Sequence, residues 1–261
     1  MRTDVIWNRT TGSIVLVALL SACSGPKSSS TSGPNGGPVP TGRMTMDLRV
    51  ESSEPGKAVV RANLNDGKTV STSYRLDGGD FLRACISGLC RSMADNDSVY
   101  TPDYIARFDY QPGIDYVVSF NRQEAQNAPD SRVALPQSFT IVTPANHQSV
   151  TDGDSVVVEW SPTGAPARVF LDYAAECSFV GGTKAFSSGT LGEDENADGR
   201  ETVRIDPIVT FARTNATTTM TRCSIDVSVK HQLQGSVDPA FGHGSALGIV
   251  SRKINLDYVP R

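Results

Sequence analysis

Alternation of apolar and polar residues is the feature that most constrains the fold of this chain. The segments Met44–Val50, Ala58–Leu64, Tyr116–Phe120 and Ile225–Val229 carry an apolar side chain at every second position. This period puts the apolar side chains on one face of a β-strand. Turn-forming residues such as Glu54–Gly56 stand between the segments. Strands that recur at this short spacing predict β-sandwiches.

The composition fits this prediction and excludes several classes of protein. Hydrophobic residues make up 38% of the 261 residues and charged residues 20%, with a formal net charge of −4. This balance allows folded cores, and it excludes both a polytopic membrane protein and a wholly disordered chain. Because no Lys/Arg cluster is present, we expect no nucleic-acid partner. Residues 208–220 are numerous enough for a helix, but their Thr and Val content argues against one, so we expect an all-β fold.

Residues 1–22 have the pattern of an export signal. Their apolar run Ile14–Leu20 is too short to span a bilayer, which takes about 20 residues, but it suits the centre of a signal peptide. The sequence Leu20-Ser21-Ala22-Cys23 then resembles the lipobox of bacterial lipoproteins. The resemblance implies cleavage before Cys23, acylation of its thiol and anchoring in the lipid bilayer. Ser24, in place of Asp, implies the outer membrane, whereas an ordinary signal peptide with a chance cysteine is the alternative.

The segment from Cys23 to residue 42 is predicted to be a disordered linker. Of the nineteen residues Ser24–Gly42, five are Gly, four Pro, five Ser and two Thr. Such a segment behaves as a flexible chain with a root-mean-square length of about 24 Å. Behind a lipidated cysteine, it would hold the folded part of the protein clear of the lipid headgroups.

The remaining residues are predicted to form two β-sandwich modules, 43–136 and 137–261. The polar connection before Leu135-Pro136 marks the boundary. In the second module, Val156–Pro162 and Arg168–Tyr173 resemble strands B and C of fibronectin type III and immunoglobulin-like folds. The resemblance implies that Trp160, late in strand B, is buried near Tyr173. Within this module Trp160 precedes the first cysteine, Cys177, whereas in antibody domains a cysteine comes before the tryptophan, so the antibody-type core disulfide is not expected.

Four cysteines remain after Cys23, and in an exported chain we expect them to form disulfides. Three pairings are possible. Pairing within each module, Cys85 with Cys90 and Cys177 with Cys223, is the simplest. The spacing of Cys85 and Cys90, without a nearby histidine, suits neither zinc nor a redox pair.

One acidic segment has the pattern of a metal-binding loop. Asp194, Asn196, Asp198 and Gly199 match the first four ligand and turn positions of an EF-hand calcium loop. Ile205 stands at the twelfth position, where a bidentate Glu belongs. Calcium is thus a candidate cofactor here, and the alternative is an acidic turn in which Asp and Asn serve the backbone geometry.

No catalytic motif is recognisable in the chain. We therefore expect a lipid-anchored cell-envelope protein with a non-enzymatic binding, adhesion or scaffolding role toward a protein or glycan. An envelope hydrolase whose carboxylates are scattered in sequence is the first alternative, since carboxylate pairs are defined in space. A structural spacer without a specific ligand is the second.

Overall fold

The structure, a computed structural model, describes residues 39–66, 74–96, 102–163, 168–193, 198–214 and 219–260. The predicted signal peptide, Cys23 and the linker up to residue 38 lie outside the described residues. No helix within the described ranges has the length and apolar character needed to span a bilayer.

The described residues are almost entirely in β-strands, as predicted. The strands before residue 136 are β1 (Thr45–Ser52), β2 (Lys57–Asn65), β3 (Phe81–Ile86), β4 (Leu89–Ser92), β5 (Ala94–Asp95), β6 (Tyr104–Asp109), β7 (Asp115–Asn121) and β8 (Ala128–Ala134). The later elements are β9 (Thr140–Thr143), β10 (Gln148–Val150), β11 (Ser155–Ser161), β12 (Arg168–Phe179), β13 (Lys184–Glu193), β14 (Arg200–Arg204), α1 (Ile205–Thr214), β15 (Met220–Gln234) and β16 (His243–Tyr258).

Two sandwiches of the same strand order result. In the first, β1-β2-β6 faces β4-β3-β7-β8, and Phe108 of β6 meets Tyr116 of β7 edge to face at 6.0 Å. In the second, β9-β11-β14 faces β13-β12-β15-β16, and Trp160 of β11 lies 6.4 Å from the buried His231 of β15. Both are fibronectin III/immunoglobulin-like β-sandwiches, and Trp160 and Tyr173 lie on the strands that the sequence predicted for them.

The last strand, β16, belongs to both sandwiches. Its first half, His243–Val250, pairs in parallel with β1, and Leu247–Tyr258 pairs antiparallel with β15. A single nine-stranded sheet therefore runs through the molecule. The predicted division at residue 136 puts all of β16 in the second module, whereas half of this strand extends a sheet of the first.

Glycines allow the two sandwiches to approach at this junction. A Cβ on Gly248 would lie 1.9 Å from the carbonyl oxygen of Ala134, and one on Gly235 would lie 2.2 Å from that of Arg132. Nearby, Arg132 and Ser236 exchange two backbone hydrogen bonds of 2.8 and 2.9 Å. Since the backbones are in direct contact, the two sandwiches are packed against each other and not joined by a loose hinge.

The prediction that no helix forms around residues 208–220 is wrong. Helix α1 runs over Ile205–Thr214 and packs against β12 and β13. Ile205, Ile208 and Val209 lie on one face of the helix and are fully buried. Burial of this apolar stripe outweighs the weak helix propensity of Val and Thr.

The predicted end of the linker at residue 42 is also wrong, because residues 39–43 pack on the first sandwich. Val39 and Thr41 are buried, and Thr41–Arg43 forms one turn of 3-10 helix. The buried guanidinium of Arg122 donates hydrogen bonds to the Val39 carbonyl at 2.6 Å and the Thr41 hydroxyl at 3.1 Å. Its Nε also donates to the carboxylate of Asp80 at 2.9 Å.

Candidate functional site

The candidate site is the outer face of the second sandwich at the end remote from the linker. Thr45, just after the linker, pairs with His243 at the start of β16, whereas Asp257 of β16 lies beside Ser224 at the other end. The fourteen residue steps from His243 to Asp257 correspond to a contour length of about 46 Å. We call the surface at this end the distal face, comprising Phe186 and Ser188 of β13, Ala174 and Glu176 of β12, Ser224 and Asp226 of β15, and Asn255 and Asp257 of β16.

Strand register brings these side chains together. Glu176 lies opposite Phe186 on one side and Ser224 on the other, and Ala174 lies opposite Ser188 and Asp226. Because Ala and Ser are small, a depression of about 530 Å³ opens between the larger side chains. Phe186 stands at its rim with 66% of its surface exposed.

The charges of the distal face are neutralised in pairs. Glu176 forms an ion pair with Lys184, and Asp226 forms one with Lys253 at 2.8 Å. Burial works to raise the pKa of Asp226, but hydrogen bonds from Lys253 and Asn255 and the charge of Lys253 outweigh it, so the pKa lies below its ordinary value. Asp226 is therefore an anion near neutral pH, and a depressed pKa does not suit a general acid.

The disulfide Cys177–Cys223 lies directly beneath the distal face and confirms the predicted pairing. It joins opposite positions of β12 and β15, next to Glu176 and Ser224, with both cysteines buried. The bond fixes the spacing of the two strands that form the centre of the depression. A preorganised surface of this kind loses less entropy on binding.

The other predicted disulfide, Cys85–Cys90, is also confirmed. It joins opposite positions of the β3–β4 hairpin in the first sandwich. It lies far from the distal face in the strand order and contributes nothing to that site.

The predicted calcium loop is largely outside the described residues. Asp194 and Asn196 fall in the undescribed stretch 194–197. Asp198 is described and exposed, and its carboxylate accepts a hydrogen bond from the backbone N–H of Arg200 at 3.0 Å. Within the described ranges, no group of three or more His, Cys, Asp or Glu side chains is arranged to hold a metal ion. Calcium binding by this loop stays a prediction.

Strand β13, which supplies the aromatic rim of the site, was not predicted from the sequence. Lys184–Glu193 contains Phe186 and Leu191 as its only large apolar residues, among Ser, Gly and Thr. Exposed and partly buried positions alternate along the strand in the structure, but the inward positions include Ser187 and Gly189, so the sequence shows no apolar alternation.

Comparison with known proteins adds little to these observations. No protein-family model matches the chain, and no curated protein matches it. A solved structure titled "Cytokine receptor complex - Crystal form 1A" is similar over 78% of this chain and 94% of its own, with 11% sequence identity and a TM-score of 0.25. At this identity and TM-score, the likeness carries no inference about function.

Proposed function

We propose that the chain is an exported, lipid-anchored envelope protein that binds a protein or glycan partner through its distal face. The lipobox-like Leu20–Cys23 supports the anchor, and Ser24 favours the outer membrane. By their composition, the fifteen residues from Ser24 to Pro38 are expected to behave as a flexible chain of about 21 Å. Arg122 attaches the end of this segment to the first sandwich.

The observation that carries the proposal is the course of β16. This single strand runs from the linker end of the first sandwich to the distal face of the second. Together with the linker, it would set the distal face up to about 70 Å from the membrane anchor. A rigid arrangement of this kind suits a protein that displays a binding surface.

The chemistry of the distal face supports a binding role. Its depression has an apolar floor at Ala174, an aromatic rim at Phe186, and hydroxyl and carboxylate groups around it. Exposed aromatic side chains beside polar groups are favoured in recognition of proteins. The carboxylates Glu176 and Asp226 hold lysines, so these contacts do not favour the hydrolase alternative.

A photo-crosslinking amino acid at position 186 in intact cells tests this proposal. We expect a discrete adduct whose mass is not a multiple of the chain's own. The matched control is position 81, because Phe81 is also an exposed strand residue but lies in the first sandwich. No adduct at position 186, or equal adducts at both positions, would contradict the proposal and favour the spacer alternative.

A further inference from the structure

The depression of the distal face is electrically balanced, although charged side chains surround it. Glu176 forms its ion pair with Lys184, and Asp226 forms its ion pair with Lys253. Each carboxylate of the depression is therefore matched by a lysine of the same chain, so the surface attracts neither an anionic nor a cationic partner over a distance. This balance favours a partner that carries no net charge.

The polar groups around the depression suit a ligand that is rich in hydroxyl groups. Ser188 and Ser224 are exposed, and a serine hydroxyl can both donate and accept a hydrogen bond. The Nδ2 of Asn255 donates to the Ser224 hydroxyl at 2.6 Å and to the Asp226 carboxylate at 2.9 Å. These bonds hold both side chains in place, leave the Ser224 proton to be donated outward, and leave lone pairs on the carboxylate for further donors. A sugar, whose hydroxyls both donate and accept, matches this combination.

The apolar part of the depression is one aromatic ring beside a small floor. Phe186 is 66% exposed at the rim, and Ala174 and Ala175 are the other apolar residues of the lining. A protein interface of standard size buries about 800 Å² on each partner around an apolar centre, which one ring and two alanines do not supply. A pyranose ring instead has a face of C–H groups that packs flat on a single aromatic ring. The volume of about 530 Å³ also lies in the range of small-ligand sites.

We propose that the distal face binds an uncharged glycan, with one sugar ring stacked on Phe186. The inference rests on the proposed function, because it names the class of partner for the same surface. Ala174 lies between Ser188 on β13 and Asp226 on β15. A sugar above this alanine therefore meets a polar group on either side, and Ser224 lies two residues from Asp226 on the same face of β15.

Binding of the full chain to an array of neutral, basic and acidic oligosaccharides tests the inference, in a detergent without a sugar headgroup. We expect binding to neutral oligosaccharides. Phe186→Ala should weaken this binding about tenfold, because an aromatic anchor is lost, whereas Phe186→Trp keeps an aromatic face and should bind like the unmodified chain. Phe81→Ala is the matched control, since Phe81 is exposed on a strand of the first sandwich, and it should leave binding unchanged.

The salt dependence of the affinity provides a second readout. The affinity for an uncharged glycan should stay the same between about 0.1 and 1 M salt, because salt screens only charges. A steep loss of affinity with salt would reveal a charged partner and would overturn the inference. The same conclusion follows if no glycan binds, if only acidic or basic glycans bind, or if Phe186→Ala binds as tightly as the unmodified chain.

The array and the photo-crosslinking experiment separate this inference from the proposed function. An adduct at position 186 in cells, together with no glycan binding, would leave the proposed function in place with a protein as the partner and would overturn the glycan. The absence of both the adduct and glycan binding would contradict the two proposals together.

Discussion

Replacing Gly248 with alanine is the sharpest test of how the two sandwiches are joined. The new Cβ would lie 1.9 Å from the carbonyl oxygen of Ala134 and 3.2 Å from a methyl of Val133. Gly248 is also held on both sides, because β16 pairs there with Val50 of β1 and Leu233 of β15. The strand therefore cannot move aside without losing hydrogen bonds of the nine-stranded sheet.

The expected cost follows from this geometry. Ordinary contact needs at least 3.4 Å, so the two backbones must separate by about 1.5 Å. Forcing extra atoms into a packed region costs about 1–3 kcal/mol. Because the new Cβ meets backbone and β16 is paired on both sides, we expect Gly248→Ala to lower the free energy of unfolding by about 3 kcal/mol, the upper end of this range.

Urea denaturation of the purified chain measures this loss, with Gly192→Ala as the matched control. Gly192 lies on β13, its φ is not positive, and a Cβ added there would have no other atom within 4 Å. Its substitution should change the free energy of unfolding by less than about 0.5 kcal/mol. If Gly248→Ala is as stable as Gly192→Ala, the close packing of the two sandwiches at β16 is refuted.

Four other groups of the chain lead to further predictions. Removing Cys177 and Cys223, which close a loop of 46 residues, should lower the free energy of unfolding by about 4 kcal/mol by the loop-entropy relation, as thermal and urea denaturation would show. Arg122→Met should cost about 3 kcal/mol in the same assays, because it leaves a buried carboxylate unpaired. The pKa of Asp226 is depressed in the folded state. The stabilisation from the ion pair of Asp226 is therefore present above the ordinary aspartate pKa and is lost as the pH falls through the folded-state value. The difference in the free energy of unfolding between the unmodified chain and Asp226→Asn should accordingly shrink below about pH 4. Cys23→Ser should abolish labelling with a fatty-acid probe, and labelling of that variant would contradict the lipobox assignment.

The local features of the fold were predictable from the sequence because they depend on neighbouring residues. Period-2 patterning located most strands, and cysteine spacing predicted both disulfides. The positions of Trp160 and Tyr173 on consecutive long strands followed from the resemblance to fibronectin type III folds.

Features that depend on distant partners were not predictable. Nothing in residues 243–250 shows that they pair with β1, almost 200 positions earlier. The linker end looked disordered because the group that holds Val39, the guanidinium of Arg122, is 83 positions away. Helix α1 escaped prediction because burial against β12 and β13, and not local propensity, stabilises it.

The candidate site was hidden for a related reason. Its floor consists of Ala and Ser residues that do not stand out in the sequence, and they form a depression only when three strands lie side by side. Phe186 is the one residue whose type hinted at recognition, and its weakly apolar surroundings gave no reason to select it.

The measurement that most directly tests the central claim is the distance between the two ends of the molecule. Nitroxide labels at Arg43→Cys and Val259→Cys, two exposed positions near the linker and beside the distal face, can be compared by pulsed electron paramagnetic resonance. If β16 holds both sandwiches in one rigid body, the distances should form a single narrow distribution near 50–55 Å, about 3.3 Å per residue along the strand. A broad distribution that extends below about 30 Å would mean that the sandwiches move independently and that the distal face is not held away from the anchor.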